Sequence, residues 1–212
     1  MRSILKNNAA FFIPYALFLL IGAAILIVNS KGQTHLEFNK FHNSFFDSFF
    51  YYITFLGDGV TALLLIILLL GLKYRYFLIA AASNIISAMI TQVLKHTLFA
   101  GVVRPKLFFE GVKDLYLVPG VENYLYNSFP SGHTTCAFSL YLSLALIVEK
   151  PKLKFLFFVI ALLVGYSRIY LSQHFLEDVY AGSLIGVVTT MVVYYFVQRS
   201  NKPCLEGALG RK

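Results

Sequence analysis

Of the 212 residues, 58% are hydrophobic and only 13% charged, a balance that excludes an ordinary water-soluble globule and points to a membrane. The formal net charge of +8 would suit a nucleic-acid partner, but the cations are dispersed among apolar runs, which removes that class as well.

Six apolar runs follow one another: Ala9–Val28, Val60–Leu72, Tyr76–Leu94, Gly132–Val148, Leu153–Val164 and Val179–Val197. Four of them, with small extensions, reach the roughly 20 residues that cross ~30 Å of hydrocarbon. The second borrows Tyr51–Gly57 and the fifth Gly165–Tyr170. The predicted fold is all-α, a six-helix transmembrane bundle with its site on the outer face. Residues 1–200 form a single membrane-embedded domain, and 201–212 a disordered cytoplasmic tail.

The first run has a basic start, Arg2 and Lys6, but is too long for a signal peptide and lacks an Ala-x-Ala site, so it reads as a retained helix. Asn29 to Phe55 mixes polar residues with Phe45, Phe46, Phe49, Phe50, Tyr51 and Tyr52, the composition of a helix lying in the interface. His35 and His42 in this segment read as solvated, and Leu56-Gly57-Asp58-Gly59 as a turn in which Asp58 needs no catalytic role. In the third run Ser83, Ser87, Thr91 and Lys95 recur every four residues and form one slightly polar stripe. Ser139 and Ser143 in the fourth run, and Gly182 and Gly186 in the sixth, give matching small faces, so the third, fourth and sixth helices are expected inside. Cys136 and Cys204 fall on different surfaces and predict no disulfide.

Six spans place loops alternately on two sides. One side carries Arg2, Lys6, Lys73, Arg75, Lys150, Lys152, Lys154, Arg199, Lys202, Arg211 and Lys212, which is 11 of the 18 Lys and Arg, and the other carries seven. By the positive-inside rule the first side, with both termini, is cytoplasmic, and the membrane is the cytoplasmic (inner) one. Lys95 to Asn127 is then a long outer loop whose Phe108, Phe109, Leu115, Tyr116, Leu117 and Tyr124 are too apolar to be free of the bundle.

The outer side also collects the unusual polar residues. In Asn127-Ser128-Phe129-Pro130-Ser131-Gly132-His133, Pro130 stops any preceding helix and Ser131 is a natural N-cap for the next one. The free amides of that first turn suit an anion against Ser131, Gly132 and His133. His174 and Asp178 are four apart, so on a helix the carboxylate reaches the imidazole and fixes its tautomer. Arg104 and Arg168 offer planar forks for phosphate oxygens, and Lys95 adds a third cation. His133, His174 and Asp178 also invite a metal reading, but three neighbouring fixed cations make a poor home for another.

These residues resemble the type 2 phosphatidic-acid phosphatase superfamily, whose pattern is Lys-x6-Arg-Pro, Pro-Ser-Gly-His and Ser-Arg-x5-His-x3-Asp. The second part matches at Pro130-Ser131-Gly132-His133, and the third at Ser167-Arg168, His174 and Asp178. The first departs: eight residues separate Lys95 from Arg104-Pro105, and a local bulge at Gly101 would absorb the extra two. The motifs cover residues 80 to 195 or so. The resemblance implies His174 as nucleophile, Asp178 as its orienter and His133 as the acid for the leaving oxygen. It implies Lys95, Arg104, Ser131, Gly132 and Arg168 as the phosphate cradle, with no metal and no cofactor. The implied substrate is a membrane lipid phosphate: phosphatidate, phosphatidylglycerol phosphate, lipid A phosphate or undecaprenyl diphosphate. A phosphotransferase of the same fold, and a non-catalytic anionic-lipid-binding or transport bundle, are the alternatives.

Overall fold

The computed structural model describes residues 2–210, which form ten α-helices and three short 3₁₀ turns, with no strand among them. In chain order they are α1 (Arg2–Asn7), α2 (Ala9–Val28), α3 (Lys31–Asn39), α4 (Ser44–Ile53), α5 (Gly59–Leu68), α6 (Tyr74–His96), α7 (Pro105–Phe109), α8 (Gly132–Ile147), α9 (Pro151–Tyr170) and α10 (Leu176–Arg199).

Four helices, α2, α6, α9 and α10, are long and apolar enough to cross a membrane. The chain is a multi-pass membrane protein. The expected second span is not one rod: Ser44–Gly57 and Gly59–Gly71 meet at a 54° bend, and only taken together are they long and apolar enough for a fifth crossing. The expected fourth span, α8, has only 16 helical residues. At 1.5 Å per residue it is about 24 Å long, less than the hydrocarbon it would have to cross.

That short helix is the hub. It is buried on every side, with Ala137, Phe138, Leu140, Leu142 and Ala145 wholly inaccessible. It is enclosed by α6, α9 and α10. The small faces read from the sequence do meet here. An added Cβ at Gly182 would lie 2.7 Å from the Ser131 carbonyl oxygen, and one at Gly186 would lie 2.6 Å from that of Thr135. Backbone thus rests on backbone, and hydroxyls fill the remaining gaps: Thr190 Oγ1 donates to Ser139 Oγ at 3.1 Å and Thr91 Oγ1 to Thr135 Oγ1 at 3.2 Å. Outside this core α2 and α5 present Ile13, Leu17, Leu20, Leu63, Leu64 and Ile67 outward, where water would penalise them and lipid does not.

Two expectations are corrected. The segment from 29 to 55 is two helices, and His35, expected in solvent, is buried on α3 at 1% exposure. It sits between Phe109 and Phe175. Most of the tail expected to be disordered is docked. Glu206 pairs with Arg75 at 2.6 Å and Lys73 at 3.0 Å, and the Gly207 carbonyl accepts from Tyr74 N at 2.8 Å. Residues 211 and 212 lie outside the described residues.

Because α8 and α10 touch through backbone, Gly186→Ala is expected to destabilise by about 1–3 kcal/mol. Gly59→Ala, where an added carbon meets nothing within 4 Å, is expected to be neutral. Thermal unfolding of the two variants in detergent decides; equal midpoints would show that glycine does not set the α8–α10 spacing.

Candidate active site

The site is built where α8 begins, α9 ends and α10 begins. Ser131 caps α8: its Oγ accepts from Thr134 Oγ1 at 2.9 Å and Thr134 N at 3.5 Å, leaving its own hydrogen to donate elsewhere. Space beside Gly132 is open, with no atom within 4 Å of where a Cβ would project. Ser131 N is anchored to the Asp178 carbonyl at 3.0 Å, tying the start of α8 to α10.

Helix α9 ends in a Schellman motif. Gln173 N bonds to Arg168 O at 2.9 Å and Ser172 N to Ile169 O at 3.0 Å, with Ser172 left-handed at φ 51. His174 N reaches the same Arg168 carbonyl at 3.1 Å, so the loop that presents His174 is an extension of the α9 cap. On the far side of the loop Asp178 Oδ2 collects three donors: His174 Nδ1 at 3.2 Å, Phe175 N at 2.9 Å and Ser128 Oγ at 2.5 Å. The pairing expected from the four-residue spacing is formed. With Nδ1 held by the carboxylate, Nε2 is the nitrogen left for chemistry.

Three cations converge on this pair, all buried: Lys95, Arg104 and Arg168. Arg104 donates to Tyr126 O at 2.9 Å and to Gln173 O and Oε1 at 3.2 and 3.3 Å. Arg168 Nη1 donates to Thr54 Oγ1 at 2.6 Å, and its Nε has no partner among the described residues. Gly101, left-handed at φ 79, turns the chain after α6, so Lys95 lies within electrostatic reach of Arg104, Arg168 and Asp178 despite the longer spacing. His133 is partly buried and feels Arg168, His174, Lys95 and Arg104. Every residue proposed from the sequence therefore falls in one place. Among the described residues no group of three His, Cys, Asp or Glu side chains is arranged to hold a metal ion.

Burial, together with Arg104, Arg168 and Lys95, holds the His174 ring well below the usual histidine range, so it is neutral and carries a lone pair near neutral pH. His35 is lowered to about 4, again chiefly by burial. A cavity of about 500 Å³ between α5, α6 and α8 is lined by Ala62, Leu63, Ile66, Phe77, Ala81 and Ile85, and reaches Gly132 and His133.

Three contributors escaped the sequence reading. Ser128 lies in the 127–133 stretch but had no assigned role, and only a fold that brings α10 against that stretch reveals its bond to Asp178. Thr54 and Gln173 hold the two arginines, and neither belongs to a motif. Asp58, read as a turn residue, lies at the bend close enough to act on Arg168 electrostatically.

The fold and this arrangement define a multi-pass membrane protein with a buried, cation-lined site against a helix N-terminus. Residues 76–202 match the PAP2 superfamily, and the chain belongs to that family. It is 29% identical over 186 residues to the lipid A 4'-phosphatase of Porphyromonas gingivalis, covering 82% of this chain and 76% of that one. It is 27% identical over 160 residues to the undecaprenyl-diphosphatase BcrC of Bacillus subtilis, covering 73% and 77%. A shorter match, 39% over 75 residues, links it to the bacitracin transport permease protein BcrC of Bacillus licheniformis. That match spans 35% of this chain and 36% of the relative's length. The crystal structure of Aquifex aeolicus LpxE superposes with a TM-score of 0.69 at 27% identity, over 77% of this chain and 93% of that one.

The lowered histidines make stability fall with acid. Unfolding frees His35 and His174 to take protons at about 6.5, before the folded protein does, so stability is lost as pH drops below that value. For His35 the loss runs from about pH 6.5 to about 4 and amounts to about 3 kcal/mol. Thermal midpoints between pH 7 and pH 5 are expected to decline, and less steeply in His35→Gln; a flat profile would contradict the neutral buried ring.

Proposed function

We propose that this protein hydrolyses a lipid phosphate or diphosphate through a phosphohistidine on His174, without a metal, at the outer face of the cytoplasmic membrane. One observation carries the reading: a neutral His174 held 3.2 Å from Asp178 among three buried cations. His174 Nε2 attacks phosphorus and forms a P–N bond as the P–O bond to the lipid breaks. His133 gives its proton to the departing oxygen, then takes one from the water that attacks phosphorus, and the P–N electron pair returns to His174. Asp178 supports the imidazolium that forms in the first step. Lys95, Arg104, Arg168, the Ser131 hydroxyl and the amides of Gly132 and His133 hold the non-bridging oxygens and stabilise their transition-state charge.

The relatives named for lipid A 4'-phosphate and undecaprenyl diphosphate support a lipid substrate. The apolar cavity ending at His133 supports it too, since it offers a hydrocarbon chain a path to the acid. A purely transporting or lipid-binding bundle would use the cations but has no need of a carboxylate-oriented histidine.

Rates on one lipid and one aryl phosphate separate the two histidines. His174→Ala is expected to abolish hydrolysis of both. His133→Ala is expected to lose lipid turnover by 10²-fold or more while keeping p-nitrophenyl phosphate activity, because a phenolate leaves without help and a lipid alkoxide does not. Activity in EDTA should equal that without it. Aryl activity surviving in His174→Ala would reverse the roles, and loss in EDTA restored by a divalent ion would revive the metal reading.

The outer-face assignment rests on the Lys and Arg asymmetry of 11 against seven. Single cysteines at Lys113 and Lys152 are expected to differ in intact cells, only the first reacting with an impermeant thiol reagent. The opposite labelling would turn the site inward.

A further inference from the structure

Ser172 is an anomaly in the α9 cap. The C′ position of a Schellman motif is left-handed and usually Gly, because L side chains rarely adopt that conformation. Here it is Ser at φ 51, two residues before His174. Its hydroxyl is buried and touched from one helix only: His35 Nε2 lies 3.2 Å away and Asn39 Nδ2 3.3 Å, both on α3 and one turn apart.

His35 has no other polar anchor among the described residues. Its Nδ1 is buried without a partner, and the ring stacks on Phe109 and meets Phe175 edge-on, Phe175 being the residue after His174. Asn39 is fixed in turn by the outer loop, donating to Tyr116 O and accepting from Tyr116 N, both at 2.9 Å. A polar ring buried for a single hydrogen bond to a strained residue is a costly arrangement for packing alone.

We infer that His35 and Ser172 are positioning residues for His174: α3 grips the side chain that occupies the left-handed position and so fixes the loop carrying the nucleophile. The inference rests on the assignment of His174 above. It explains why Ser stands where Gly would relax the backbone, since Gly would remove the handle. It also gives the interfacial α3 a task beyond covering α9 and α10: the same helix holds the Tyr116 segment and the His174 loop together.

The substitution Ser172→Gly separates this role from a structural one, because Gly suits the backbone while deleting the hydroxyl. Its thermal midpoint is expected to equal or exceed that of the wild type, whereas kcat falls tenfold or more with KM within twofold. His35→Leu, which keeps the bulk, is expected to show the same loss of kcat. His35→Gln, whose terminal amide replaces Nε2, is expected to stay within threefold of wild type. Wild-type kcat in Ser172→Gly would overturn the inference. Losses in all three variants that follow only their thermal midpoints would overturn it too, by reducing His35 to packing. If His174→Ala stays active, or the wild type releases no phosphate, the functional reading fails first and this inference with it.

Discussion

The rest of the structure depends on three fixed positive charges held inside a membrane protein with too few negative ones. Lys95, Arg104 and Arg168 are buried, and Asp178 is the one buried carboxylate among the described residues. That carboxylate is committed to His174, Ser128 and Phe175 rather than to a cation. Burying an unpaired ion disfavours folding by several kcal/mol. The fold answers with neutral dipoles: backbone carbonyls of Tyr126 and Gln173 for Arg104, a threonine hydroxyl for Arg168. These dipoles hold both arginines in place without cancelling their charge. What results is a cradle whose electrostatic deficit only an incoming anion completes, the condition under which fixed charges act most strongly on a transition state.

Supplying those dipoles dictates the odd features of the bundle. Arg168 needs an acceptor at the C-terminal end of α9, and the 54° break between α4 and α5 puts Thr54 there. A straight span would carry a continuous hydrogen-bonded helix past the site and give it no turn. Arg104 needs carbonyls on two sides, and it obtains them from the segment leading into α8 and from the loop after α9. The long loop between α6 and α8 is pinned in turn: Arg104 N bonds to Leu125 O at 2.8 Å and Ser128 N to Val102 O at 3.0 Å.

Much of this was legible in the sequence because it is local. The capping pattern at Ser131 and the serine and glycine stripes depend on helical geometry, and the structure has them; the His174 to Asp178 contact also forms, although His174 lies in the loop before α10 and not on a helix with Asp178. What could not be read depends on contacts between residues far apart in the chain. His35 looks like any loop histidine until α3 folds onto Ser172, 137 positions away. The turn at Leu56-Gly57-Asp58-Gly59 is legible, but the angle between the two halves is not, because it depends on how Gly57 packs beneath the α8 backbone: its Cβ would come within 2.9 Å of the His133 carbonyl oxygen. The docked tail looked disordered for the same reason, since its partners Lys73 and Arg75 lie 131 to 133 positions back.

The shortness of α8 follows from the same electrostatics. A helix N-terminus binds an anion only through amides that have no intrahelical partner, and in hydrocarbon every such group left unsatisfied is costly. The start of α8 must therefore sit where an anion and polar side chains can reach it, with lipid kept away. Enclosure by α6, α9 and α10 meets the second condition, and the glycines of α10 let that enclosure close to backbone contact. Extending α8 outward by one turn would satisfy its first amides internally and move the open ones about 5 Å beyond the His174–Asp178 pair. The position of Pro130 and Ser131 thus fixes more than a helix boundary. It sets the depth of the open amides relative to the His174–Asp178 pair, and the longer helices around it shield the ends of so short a helix from lipid.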